Sequence, residues 1–194
     1  MTIRYFDMFA GIGGFRSGLE AIGGFECVGY CEIDKYAKQA YEAMYDTGDE
    51  LYFDDARKIV LEQLPDFDLL VGGFPCQSFS IAGARKGFDD TRGTLFFEIA
   101  RIAAVKKPKY LFLENVPGLL NHDKGRTFET IIHTLDELGY DVCWQVLNSK
   151  NFGVPQSRNR VFIIGYFRGQ CAGEVLSFTQ TSGKALIQRK PNAR

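Results

Sequence analysis

Apolar residues recur in this chain as short runs separated by stretches with helical spacing. Residues 3–9 form the first apolar run, and the glycine-rich turn Ala10-Gly11-Ile12-Gly13-Gly14 closes it. A helical stretch follows over about 15–22, then a second strand-like run over 27–31 that ends at the acids Glu32 and Asp34. Good helix formers fill residues 35–44. Further strands are predicted near 51–53, 68–71, 110–113, 142–147 and 160–166, with helices over 57–63, 95–105 and 128–138. Strands alternating with amphipathic helices predict an α/β fold with a doubly wound, Rossmann-like, mostly parallel sheet. A loop containing Pro155, with no helical pattern, joins the last two strands, which predicts an antiparallel pair at one edge.

Two stretches lie outside this alternation. Residues 76–93 form a long, polar, glycine-bearing loop, and such loops in compact domains usually carry function or are disordered. From 168 to 194 the periodicity fades and the chain ends in the basic, polar QRKPNAR. The reading is therefore one domain over 1–167 and a tail over 168–194. A length of 194 residues, 45% of them hydrophobic, is enough for one domain with a sizeable core.

The net charge of −1 weighs against a free-standing polynucleotide binder, which usually carries a basic surplus to neutralise phosphates. A nucleic-acid substrate would need basic residues concentrated locally or supplied by another segment. The five cysteines include no C-x-x-C pair, and the two histidines, His122 and His133, do not make a metal site. The odd cysteine count, the lack of a secretory leader and the absence of a membrane-length apolar run predict a cytoplasmic protein with no metal and no membrane partner.

A strand, a glycine turn and a helix, followed by an acid, is how α/β proteins bind a nucleoside. Glu32 lies 18 residues after Gly14, near the spacing expected of a ribose-binding acid. The dinucleotide fingerprint would need glycine at 16, where Arg16 stands, so the turn suits a nucleoside without pyrophosphate, such as S-adenosylmethionine. A glycine turn used only for packing stays open on this signal alone. In GGFPCQSFS, residues 72–80, Cys76 follows an apolar strand, at the end where open α/β sheets place their ligands. A lone cysteine is more often inert and buried. Here Gly72, Gly73 and Pro75 can present the sulfur, and the nearby Arg85, Lys86 and Arg92 could lower the thiol pKa and meet phosphates.

These segments resemble the DNA cytosine-C5 methyltransferases of bacterial restriction-modification type. Asp7 to Gly14 resembles that family's cofactor turn, Glu32 its ribose acid, and Asp55 the acid after its third strand. Phe74-Pro75-Cys76-Gln77 resembles its Pro-Cys motif, and Arg92 to Phe97 the segment closing its catalytic loop. Glu114-Asn115-Val116 and Gln156-Ser157-Arg158-Asn159-Arg160 resemble its Glu-Asn-Val and Gln-x-Arg-x-Arg motifs. The resemblance runs in the family's order from about residue 3 to 167.

The resemblance implies the sheet of the S-adenosylmethionine-dependent methyltransferases and catalytic roles for Cys76, Glu114, Arg158 and Arg160. Cytosine C5 is a poor nucleophile, so a thiolate must first add at C6, a covalent route that divides one hard step into easier ones. Cys76 would add there, Glu114 would hydrogen-bond the N3 and N4 edge, Arg160 would contact O2, and Arg158 would hold neighbouring groups. The target base must leave the duplex stack, and residues 78–92 are expected to close over it as a lid. Ser80, Ile81, Arg85, Lys86 and Arg92 would contact DNA. Phe9, Ala10, Gly11, Ile12, Gly14, Glu32, Ile33, Asp55, Ala56, Gly73, Pro75 and Leu95 would line the S-adenosylmethionine site, with S-adenosylhomocysteine as product. Ile33 stands where the family often stacks an aromatic ring on adenine.

Nothing resembling the family's target-recognition domain or its last two motifs follows residue 167. The expectation is a truncated chain or one half of a split enzyme, acting on duplex DNA with a missing C-terminal segment or a complementing second chain. The same chemistry on RNA, and a catalytically silent module with the cofactor fold, remain alternatives at this level.

Overall fold

The computed structural model describes residues 2–75 and 95–170. Seven strands form one sheet in the order β3-β2-β1-β4-β5-β7-β6. In chain order they are β1 (Ile3–Met8), β2 (Phe25–Cys31), β3 (Leu51–Phe53), β4 (Leu69–Gly73), β5 (Tyr110–Asn115), β6 (Tyr140–Asn148) and β7 (Asn159–Phe167). The helices are α1 (Gly14–Ile22), α2 (Lys35–Met44), α3 (Leu95–Lys106) and α4 (Arg126–Glu137). The first five strands pair in parallel, and β7 pairs antiparallel with both β5 and β6. The antiparallel edge pair expected from the sequence is present. The strand last in sequence lies inside, with β6 at the edge.

The central strands β1 and β4 are buried on both faces, as parallel strands covered by helices must be. On one face Phe6, Met8, Leu70, Leu111, Leu113 and Ile163 meet Ile99 and Ile102 of α3 and Ile131 and Leu135 of α4. On the other, Tyr5, Leu69 and Val71 meet Leu19 and Phe15 of α1. In α4, Phe128, Ile131, Ile132 and Leu135 follow the i, i+3, i+4, i+7 spacing that turns one stripe inward. Asp34 caps α2 by accepting from the amides of Tyr36 and Ala37, both at 2.8 Å.

One predicted helix is not there. Residues 57–63 form two short 3-10 turns, Ala56–Lys58 and Leu61–Gln63, separated by extended backbone at Ile59 and Val60. Ile59 and Leu64 are both buried, and their five-residue spacing does not fall on one helical stripe. Arg101 of α3 supplies the missing hydrogen bonds: its guanidinium donates to the carbonyls of Ala56 and Ile59, each at 3.0 Å.

Asp7, at the carboxyl end of β1, is wholly buried. One carboxylate oxygen accepts from the Tyr41 hydroxyl at 3.3 Å, and the other has no hydrogen-bond partner among the described residues. Burial pushes its pKa up to about 7, against the Tyr41 hydrogen bond and the Arg16 charge, which pull it down. The folded state thus keeps a proton that the unfolded chain releases near pH 4, and Asp7 makes stability fall as pH rises from about 4 to 7. Asp7→Asn removes this dependence. The melting temperatures of variant and parent should converge towards pH 4, and at pH 8 the variant should melt several degrees higher, the shift implying on the order of 4 kcal/mol at most. Calorimetric melts across that range check it. A constant difference at every pH contradicts the assignment.

Candidate functional site

The carboxyl ends of β1, β2, β4 and β5 lie along one edge of the sheet, where open α/β sheets hold their ligands. Immediately beyond β1 the chain enters the glycine turn. Phe9, Gly11 and Gly13 have φ of 55, 57 and 88°, so three of five consecutive residues take left-handed conformations, and only glycine does so without strain. Ala10 is buried, and its amide donates to the Cys31 carbonyl at 3.0 Å, tying the turn to the end of β2. Gly14 begins α1.

Glu32 crosses the gap between these loops. Its carboxylate accepts from the Gly11 amide at 2.7 Å through one oxygen and from the Asp34 amide at 2.7 Å through the other. Each oxygen keeps a lone pair for a hydroxyl donor. An amide that would face pyrophosphate in a dinucleotide site is already taken here by a carboxylate. A second negative group is thereby disfavoured, and a ribose diol is not. Ile12 and Ile33, 60% and 69% exposed, offer uncovered apolar surface at the same edge.

Beyond β3, Asp55 is held bidentately by Arg57, Nε to Oδ1 at 2.9 Å and Nη2 to Oδ2 at 2.7 Å, and also accepts from the Arg57 amide at 3.0 Å. These contacts hold its carboxyl below the usual range, and it stays ionised as an acceptor. Ala56 beside it is buried. Arg57 carried no sequence signal beyond its nearness to Asp55.

At the end of β4, Gly73 lies directly across from Glu114 of β5. A Cβ at 73 would stand 3.1 Å from Glu114 Oε2, so glycine leaves the carboxylate its place. Arg160, near the start of β7, reaches the other oxygen, Nε to Oε1 at 2.6 Å. Asn115 donates through Nδ2 to the Phe74 carbonyl at 2.7 Å and accepts from the Val116 amide at 2.8 Å. It thereby fixes the backbone one residue before Pro75, which is exposed. Asn115 thus serves the turn and pins the end of the neighbouring strand as well.

Arg158 does not join the pair. It precedes β7, is exposed, and makes no side-chain hydrogen bond or ion pair among the described residues. Its carbonyl accepts from the Ser149 amide at 3.0 Å, part of the stitching of the loop between β6 and β7. Leu95 begins α3, half-buried. Cys76, Ser80, Ile81, Arg85, Lys86, Arg92 and the lid expected over 78–92 lie outside the described residues. Burial pushes the thiols of Cys27 and Cys31 up to about 12, so neither is a thiolate at neutral pH.

A cavity of about 610 Å³ opens elsewhere, at the amino ends of β1, β2 and β3, lined by Arg4, Glu26, Cys27, Glu50 and Glu62 among others. It is at the opposite pole from Glu32, Asp55, Glu114 and Arg160 and shares none of them. No helix among the described residues is long and apolar enough to cross a membrane.

Known proteins share both the sequence and the fold. The chain is 52% identical over 169 residues to the type II methyltransferase M1.ScrFI of Lactococcus lactis subsp. cremoris, covering 86% of this chain and 43% of that protein. It is 51% identical over 164 residues to the orphan methyltransferase M.SPRI of Bacillus phage SPR, covering 84% and 37%. Against the type II methyltransferase M.HhaI of Haemophilus parahaemolyticus the identity is 48% over 162 residues, covering 84% and 48%. The chain thus spans less than half the length of these relatives. The crystal structure of S. pombe Dnmt2 methyltransferase superposes with a TM-score of 0.69 at 21% identity, over 90% of this chain and 52% of that one. A putative DNA modification methyltransferase from an E. coli prophage gives 0.69 at 23%, over 86% and 47%. These two likenesses show the fold. A model of the C-5 cytosine-specific DNA methylases matches residues 3–189, and the chain belongs to that family.

Proposed function

We propose that this chain is the catalytic part of an enzyme that methylates C5 of a flipped-out cytosine in duplex DNA, using S-adenosylmethionine and a covalent bond between Cys76 and cytosine C6. The observation that carries the reading is the Glu114–Arg160 pair, set against Gly73 two residues before Pro75. A carboxyl group that carries a proton donates to N3 and accepts from the N4 amino group, and a guanidinium on the adjacent strand donates to O2, so the pair complements that edge of cytosine.

Addition of the Cys76 thiolate forms the S–C6 bond and pushes electron density to C5. Glu114 and Arg160 hold the ring edge and stabilise the charge that develops on it. Arg158, exposed beside them, serves to hold neighbouring groups once DNA is present. Asn115 keeps the turn before Cys76 in register. When bound, S-adenosylmethionine supplies a methyl group activated by its sulfonium. Loss of the C5 proton and breaking of the S–C6 bond then return the thiolate.

The donor's nucleoside fits the groups present. Glu32 retains acceptor capacity for a ribose diol, Asp55 for an adenine amino group, and Ile12 and Ile33 supply apolar walls. Phe9, Ala10, Gly11, Gly14, Ala56, Gly73, Pro75 and Leu95 complete that site in this reading. Ser80, Ile81, Arg85, Lys86 and Arg92 are assigned to DNA. Reading of the target sequence is assigned to protein of the kind the relatives carry beyond the span they share with this chain.

Calorimetry should show S-adenosylhomocysteine binding and no measurable NAD binding. Glu32→Ala should weaken the former at least tenfold, the effect of losing hydrogen bonds to a charged acceptor. Preference for NAD sinks the cofactor reading.

A duplex containing 5-fluorocytosine, incubated with S-adenosylmethionine, should form a denaturation-resistant adduct with the chain joined to the C-terminal half of M1.ScrFI. Fluorine at C5 cannot leave as a proton does, so the S–C6 bond persists. The adduct should map to Cys76 and vanish in Cys76→Ser. An adduct on another cysteine, or none with a fusion that binds the duplex, contradicts the mechanism.

A further inference from the structure

Arg16 stands where a dinucleotide-binding turn would carry its third glycine, and its side chain is 5% exposed. Every donor-bearing nitrogen is engaged. Nε donates to Glu20 at 2.7 Å, Nη1 to Glu50 at 2.8 Å and to the Tyr41 hydroxyl at 3.3 Å, and Nη2 to the Asp46 carbonyl at 2.9 Å. The guanidinium lies over the Tyr45 ring, 4.6 Å from its centroid. Tyr45 donates in turn to the Gly13 carbonyl at 3.0 Å, and a Cβ at Gly13 would come within 2.3 Å of its ring. The ring is therefore pressed against the back of the glycine turn.

These contacts join α1 to the continuous stretch 41–50, which runs from the end of α2 to the entry of β3. Arg16 of α1 sits behind the glycine turn, which in this reading takes the methionine part of the donor. Tyr41 and Tyr45, at the end of α2, belong to the segment that leaves Glu32. Asp46 and Glu50 form the entry to β3, which leads to Asp55 at the adenine end. A buried ion pair is a poor source of net stability, because desolvating the charges offsets most of their attraction. Its geometry is another matter. A guanidinium directs several donors in one plane and stacks on an aromatic ring, whereas an ammonium satisfies these partners only in part.

We propose that Arg16, acting through Tyr45, is a positioning residue that sets the distance between the two ends of the cofactor cleft without touching the cofactor. The inference rests on the S-adenosylmethionine reading given above. Its consequence is selective. A ligand spanning both ends depends on the spacing, and one occupying only the ribose and adenine end does not.

The test compares S-adenosylhomocysteine with adenosine on the 194-residue chain by calorimetry, alongside melts without ligand. Tyr45→Phe removes only the hydroxyl that holds Gly13 and keeps the stacked ring. It should weaken S-adenosylhomocysteine about five- to tenfold, the effect of one hydrogen bond, with adenosine affinity unchanged and little loss of melting temperature. Arg16→Lys should lower the ratio of the two affinities further, and Arg16→Met more than Arg16→Lys. Equal loss of both ligands, or a lower melting temperature with both affinities kept, makes the network merely structural and overturns the inference. A parent chain that binds neither ligand overturns the cofactor reading itself, and this inference with it.

Discussion

The reversal of β7 is the constraint on which the rest of the site depends. Parallel strands deliver only their carboxyl ends to the ligand edge of the sheet. A strand running the other way delivers its amino end there instead. β7 is antiparallel to β5, so Arg160, its second residue, arrives beside Glu114, the fifth residue of β5. A parallel β7 would place Arg160 at the opposite edge. The two residues lie 46 positions apart in sequence and meet at 2.6 Å because of this one change of direction. The same geometry leaves β6 as the edge strand, closed by a loop that Asn148 stitches through Ser157 and Asn159.

A second constraint operates at the other end of the edge. The glycine turn presents the Gly11 amide towards the end of β2, and Glu32 takes it. The turn is thereby biased from phosphate recognition towards a hydroxyl-bearing ligand. Asp55, already ionised and oriented by Arg57, extends that acceptor surface towards β3. Glu32 and Asp55 lie at the ends of neighbouring strands, and their backbones are joined where the Glu32 amide donates to the Phe53 carbonyl at 3.1 Å.

Much of this was legible in the sequence because its signals are local. The alternation of apolar runs with helical spacing marked every strand, the glycine turn followed by an acid marked Glu32, and the family resemblance marked Asp55 and Glu114. What escaped was non-local or depended on packing. Residues 57–63 have helical composition, yet burial of both Ile59 and Leu64, with Arg101 bonded to the Ala56 and Ile59 carbonyls, breaks the segment into two turns. The Asn115 bond to Phe74 spans 41 positions. Arg16 was visible only as a departure from a fingerprint. Its partners Asp46 and Glu50 lie 30 and 34 residues away, beyond any spacing rule. Arg158 and Arg160 lie on alternate positions. Because β7 begins at Asn159, only Arg160 is held by the pleat.

The central claim is that a thiolate at Cys76 adds to cytosine held by Glu114 and Arg160. Such addition makes C5 basic, so its hydrogen should exchange with water whenever the adduct forms and reverses. The most direct measurement is release of tritium from C5 of cytosine in a duplex, using the chain joined to a relative's C-terminal half. The account predicts release by the parent, none by Cys76→Ser, and strongly slowed release by Arg160→Ala while duplex binding persists. Undiminished release by Cys76→Ser would contradict it.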